Sequence, residues 1–127
     1  MDDPLFGWAP PPAPDHPLID RDGKWPTARA RHIELHPACE ACGSTDGVEV
    51  HHEVPYHLDE SKELDPENLI SLCRPKGCHY IFGHLWNWSL WNEDVRTDAA
   101  AFGKKLDAAR RRAHELGAVP DCTPDLP

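Results

Sequence analysis

Little of this chain stays apolar for long. Its least charged stretch, residues 77–92, is sixteen residues long and still carries two His, two Asn and a Ser. That is too short and too polar for a membrane-spanning helix. The opening MDDPLFGWAPPPAPDHP has neither a basic start nor an apolar run, so it does not read as a secretory signal. Positive charge is scarce as well: 13 Lys and Arg stand against 22 Asp and Glu, a formal net charge of -9. Tight, non-specific binding of nucleic acid needs the opposite balance. No internal repeat is visible, and 127 residues allow one domain with tails and only a modest core.

Charge is unevenly spread. Residues 1–23 hold five Asp against one Arg, and residues 118–127 hold two Asp, so the segment 24–117 is close to balance. Within it Lys24, Arg29 and Arg31 form one basic cluster, and Lys104, Lys105, Arg110, Arg111 and Arg112 another, while acidic residues gather at 57–67. Bulk acidity therefore leaves room for a local nucleic-acid site.

What the chain does have is cysteine in pairs. Cys39 and Cys42 stand in C-x2-C, and Cys73 and Cys78 in C-x4-C. With no export signal, a cytoplasmic location and reduced thiols are expected, and four such thiols suit a tetrahedral structural Zn2+. A structural zinc can supply roughly 10–16 kcal/mol of folding free energy, a decisive amount in a domain this small. Cys122 is left over and reads as a free thiol. Four thiolates close a zinc site, so the histidines around them, His51, His52, His79 and His84, are surplus to it.

Residues 1–23 hold six of the fourteen prolines and read as a disordered acidic arm. Trp25-Pro26-Thr27 opens a short helix that must stop near His36, before Pro37. A first strand runs from Val48 through His51 and closes at Val54-Pro55; a polar loop covers 55–67; a second strand enters at Asn68 and reaches Cys73. From Cys78 on, Tyr80-Ile81-Phe82 and Leu85-Trp86 suggest a helix with Gly83 as its weak point. A final helix is expected over 98–116, with Thr97 as N-cap and Gly117 as the stop. Its apolar face would be Phe102, Leu106, Ala109, Ala113 and Leu116, with the basic residues on the solvated side. The expected domain is therefore 24–117, followed by a tail over 118–127.

The ordered set CEAC-x8-HHEVPYH and LDPENLISLCRPKGCHYIFGH, over residues 39–84, resembles the HNH endonucleases, the zinc-bearing branch of the ββα-metal (His-Me finger) nucleases. The resemblance implies a small α+β fold: a ββα-metal core with a four-cysteine zinc site, flanked by an N-terminal and a C-terminal helix. The family letters fall on His52, Asn68 and His79. It implies catalytic roles for His51, His52, Asn68 and His79, with His52 as general base. It also implies one divalent ion (Mg2+, Mn2+, Zn2+ or Ni2+) at His51, His79 and His84. Asn68 either orients the base or binds the ion. The substrate implied is DNA, with specificity coming from the arms, a homodimer or a protein partner.

The residues themselves support the same chemistry. Phosphodiester hydrolysis needs an activated water and a cation for the developing charge, and a neutral imidazole can take the proton. His51 and His52, as strand neighbours, point to opposite faces, so one site needs the strand to end or twist there. His79 and His84 are five apart, which turns an ideal helix by about 500° and leaves them roughly 140° out of line. Either a bulge at Gly83 realigns them, or His79 precedes the helix. Arg29, Arg31 and His57 are candidate phosphate contacts, equally or better read as surface, as His32 and His36 are. Trp86, Trp88 and Trp91 are core or a stacking platform for bases, with core favoured. A non-catalytic zinc-ribbon binding module is the alternative, and it does not account for the ordered histidines; a redox dithiol is a weaker third, because two further cysteines pair with the C-x2-C.

Overall fold

The computed structural model describes residues 9–12 and 23–117. Cys122 and most of the arm expected to be disordered lie outside the described residues. Within that arm residues 9–12 pack on the domain: Pro10 is buried, and the Pro11 carbonyl accepts a 2.8 Å hydrogen bond from Trp88 Nε1–H.

Helix α1 spans Trp25–Leu35 and carries Pro26 in its first turn, where a missing N–H removes no helical hydrogen bond. Strands β1 (Val48–His52) and β2 (Leu69–Cys73) form a two-stranded antiparallel sheet, with Val48 opposite Cys73 and His52 opposite Leu69. β1 stops at His52, short of the expected Val54-Pro55. Asn68 is the reason: its Oδ1 accepts from Val54 N–H at 2.8 Å, and its Nδ2 donates to Val54 O and Lys62 O at 3.1 and 3.0 Å. A side chain has taken the polar groups that a strand would have offered to its neighbour. The connection contains two single-turn 3-10 helices, Glu60–Lys62 and Pro66–Asn68, capped by the Asp59 and Asp65 side chains.

Each cysteine pair closes a tight turn. Gly43 and Gly77 sit at φ +83 and +85, and their N–H groups bond back to Cys39 O and Arg74 O. Only glycine adopts that conformation without strain. All four thiols converge, with the Cys42 and Cys73 sulfurs 3.6 Å apart. Tetrahedral zinc with bonds of about 2.3 Å places its sulfurs roughly 3.8 Å apart, so the cluster fits that ion. Hydrogen bonds from Cys42, Cys73 and Cys78 pull the Cys39 thiol far below its ordinary value, whereas Cys78 is pushed far above it, chiefly by Cys39. Four adjacent sulfurs share negative charge poorly unless a cation sits among them.

The core is the cysteine cluster extended. Ala41, Ile70, Leu72, Val95 and Ala99 are buried around Cys39, Cys73 and Cys78, with Phe82 packed against them. Helix α2 spans Val95–Glu115, beginning before the expected 98. The cap is not Thr97. Asn92, buried at the turn, accepts from Asp94 N–H and donates to Phe82 O and Asp98 Oδ2, so the helix nucleates three residues early. The expected apolar face of α2 does not dock as a unit either: Phe102 and Leu116 are 38% and 75% exposed. The domain is too small to cover a 21-residue helix, and its apolar anchors are Val95, Ala99 and the Phe102–Phe82 ring contact. Among the described residues no helix is long and apolar enough to cross a membrane.

Two expectations follow from this packing. Cys39→Ser should lose stoichiometric zinc and lower the melting temperature by more than ~10 °C, read by metal analysis and calorimetry; an unchanged melt would contradict a structural zinc. The buried His32 is held below its ordinary value of 6.5 by desolvation, then by His36 and Arg96. Its contribution to stability is therefore complete above about pH 6.5 and falls away as pH drops below that, because the unfolded chain takes up the proton more readily. In His32→Leu the loss of melting temperature between pH 7.5 and 5.5 should be smaller than in the parent.

Candidate active site

The five-residue spacing of His79 and His84 is resolved by a π-helical turn, His79–Gly83. A π turn closes its hydrogen bonds at i→i+5, so residues five apart come onto one face. The ring centroids of His79 and His84 lie 5.0 Å apart, and His51 stands 5.1 and 4.9 Å from them. Gly83 makes room for this triangle. A Cβ there would meet His51 Cε1 and Nδ1 at 3.0 Å and His79 Cδ2 at 3.1 Å.

Past His84 the chain turns sharply. Leu85 and Trp86 adopt φ of +55 and +68, a conformation costly for bulky side chains and concentrated at functional sites. The tight turn brings the Leu90 carbonyl within 2.6 Å of His84 Nδ1. A carbonyl only accepts, so Nδ1 carries the proton and Nε2 the lone pair. Glu49 does the same for His79, with Oε1 2.8 Å from Nδ1. The His79 contact holds the Glu49 carboxyl below its ordinary value, and Arg74 at 3.5 Å adds to it. Carboxylate or carbonyl partners behind imidazoles are the usual support of metal-binding histidines.

His51 is 4% exposed, and its Nε2 is buried with no hydrogen-bond partner among the described residues. Burial, then the neighbouring His79 and His84, pushes its pKa well below 6.5, so it is a neutral donor. An orphaned buried nitrogen costs free energy unless something binds it. Ligand atoms of His51, His79 and His84 all lie within 4.8 Å of one another. This three-nitrogen set fits a divalent ion, and imidazoles favour the softer members of the expected group, Zn2+ or Ni2+.

His52 is the last residue of β1, and the chain bends as the ladder ends. It and His51 thus line one cavity with His79 and His84 despite being strand neighbours. Its Nε2 lies 3.0 Å from the Glu63 carbonyl, which places the proton on Nε2 and the lone pair on Nδ1. Trp25 packs on its ring at 4.5 Å. Both ends of the Asn68 amide are engaged by Val54 and Lys62, so Asn68 braces the loop that carries Glu63 and directs neither amide atom to the histidine triangle.

Residues 39–80 match the family model described as HNH endonuclease. The matched segment runs from Cys39 to Tyr80, about a third of the chain. No curated protein and no solved structure matches the chain. His51, His52, Asn68, His79 and the four cysteines fall inside the matched segment; His84 lies beyond it and joins the cluster through the π turn.

Of the candidate phosphate contacts, Arg29 borders a groove beside His52, and His57 lines the histidine cavity. Arg31 is exposed on α1 and lines neither. Trp86, Trp88 and Trp91 are not core. Trp86 is 58% exposed, Trp88 stands 5.3 and 4.8 Å from His79 and His84, and Trp91 lines the cavity. Sequence reasoning missed Glu49, Arg74 and the Glu63 and Leu90 carbonyls. Glu49 alone had a signal, since residues two apart on a strand share a face and it precedes His51 by two.

Gly83→Ala should force the His51 and His79 rings apart and weaken binding of the divalent ion by roughly tenfold or more, with zinc at the cysteines retained. Calorimetric titration with Ni2+ or Mn2+ reads it, and unchanged affinity would mean the rings do not close on an ion.

Proposed function

We propose that this chain is a metal-dependent endonuclease of the HNH type that hydrolyses DNA phosphodiester bonds. One observation carries the reading: His52, with its lone pair on Nδ1, opens into the same cavity as the mutually facing His51, His79 and His84. An acceptor for a water proton thus stands beside a cation site. A zinc-ribbon binding module would have no use for Nδ1 anchors behind His79 and His84.

His52 Nδ1 takes the proton of the attacking water as its oxygen approaches phosphorus. The Glu63 carbonyl holds Nε2–H, keeping the ring oriented and easing the positive charge it acquires. Asn68 acts through that loop, as a positioning residue. A divalent ion held by His51, His79 and His84 would offset charge developing on the phosphate and on the 3′ leaving oxygen. Arg29, beside His52, supplies a cation for a neighbouring phosphate.

The test is nicking of supercoiled plasmid with no added divalent ion and then with Mg2+, Mn2+ or Ni2+. Cleavage should require the ion, and His52→Ala should slow it by about 10²–10⁴-fold while zinc content stays constant. Full activity in the variant would remove His52 as the base.

A further inference from the structure

Besides His51, His52, His79 and His84, the cavity of about 270 Å³ is lined by Tyr56, His57, Leu90 and Trp91. A water takes ~30 Å³ in the liquid, so an ion and its water leave most of that space unfilled. The His57 and Trp91 rings meet at 82° with centroids 5.7 Å apart, giving the space two aromatic walls.

These walls stand on braced backbone. Trp91 precedes Asn92, whose side chain ties the π turn to α2. Tyr56 and His57 follow Pro55, whose carbonyl accepts from Leu58 and Asp59 N–H, in the loop clamped by Asn68. Rigid aromatic surfaces offer a ligand contact area at low entropic cost.

Charge narrows the choice of ligand. The loop that carries Tyr56 and His57 continues into Asp59, Glu60, Glu63, Asp65 and Glu67. An intact duplex, with phosphates on both strands, meets repulsion here and finds few cations to displace its counterions. Stacking on aromatic faces needs no cation, and every base has a face to stack.

We infer that the Tyr56–His57–Trp91 side of the cavity receives an unstacked nucleobase next to the scissile phosphate. Single-stranded or locally unpaired DNA is therefore the substrate class, ahead of intact duplex. A paired base must first leave its stack to enter, a cost that an unpaired base does not bear. The assignment rests on the proposed nuclease for its biological meaning, but it concerns binding and is tested without cleavage.

The experiment uses the full chain carrying His52→Ala, zinc-loaded and without added divalent ion. Fluorescence anisotropy follows a labelled single strand, the same sequence as a blunt duplex, and the duplex with a central three-nucleotide bubble. The single strand and the bubble should bind at least tenfold more tightly than the duplex. One abasic position in the single strand should weaken binding roughly tenfold, and Trp91→Ala should remove a similar factor, largely restored by Trp91→Phe. Tyr56→Ala provides a second variant should Trp91→Ala lose its zinc or its melting transition. Equal or tighter duplex binding, or indifference to both abasic substitution and Trp91→Ala, overturns the inference. Because no turnover is read, plasmid nicking without this preference removes the base pocket alone, and the preference without nicking removes hydrolysis alone.

Discussion

The structure hangs on four sulfur atoms. Cys39 and Cys42 come from the turn after α1, Cys73 from the end of β2, and Cys78 from the residue that opens the π turn. Joining them fixes where the hairpin ends and where the next segment starts, and the buried core is little more than the surroundings of that junction. Few apolar side chains are fully buried, so packing alone holds these elements weakly. Since His79 follows Cys78 directly, the structural centre also sets the position of the candidate active site.

Around that anchor, backbone geometry is used to aim imidazoles. The π turn faces His79 and His84 the same way, and the left-handed Leu85 and Trp86 turn the chain so that a carbonyl can hold His84. The end of β1 lets His51 and His52 share a cavity, and Asn68 enforces that end by capturing Val54. His52, His79 and His84 are each oriented through one ring nitrogen. His51 is the exception: it is fixed by burial, and its Nε2 has no hydrogen-bond partner among the described residues.

Polar clamps do elsewhere what packing cannot. Arg96 in the first turn of α2 bonds Glu53, the Glu67 carbonyl and the Leu69 carbonyl, tying the helix to the end of β1 and the start of β2. Asn92 joins the other side of the same helix to the π turn. Among the described residues the distal half of α2 shows no comparable tie; Lys105, Ala109, Arg111 and Arg112 are exposed, and Leu106, Arg110 and Ala113 are half-buried.

Local chemistry determined a good deal from the sequence alone. The paired cysteines and ordered histidines imply two separate centres, Pro26 and Pro37 bound α1, and the short runs on either side of the polar loop yield both strands. These features depend on residue type and short-range spacing, which the chain carries without reference to its fold. Tertiary structure decided the rest. It chose a π turn over a helix at Gly83, started α2 at Val95 instead of residue 98, and removed the tryptophans from the core. It also assigned Glu49, Glu63 and Leu90 as the anchors behind the histidines. Those outcomes depend on which distant backbone and side-chain groups meet, and a carbonyl that orients a ring eleven residues away leaves no mark in the sequence, because every residue has one.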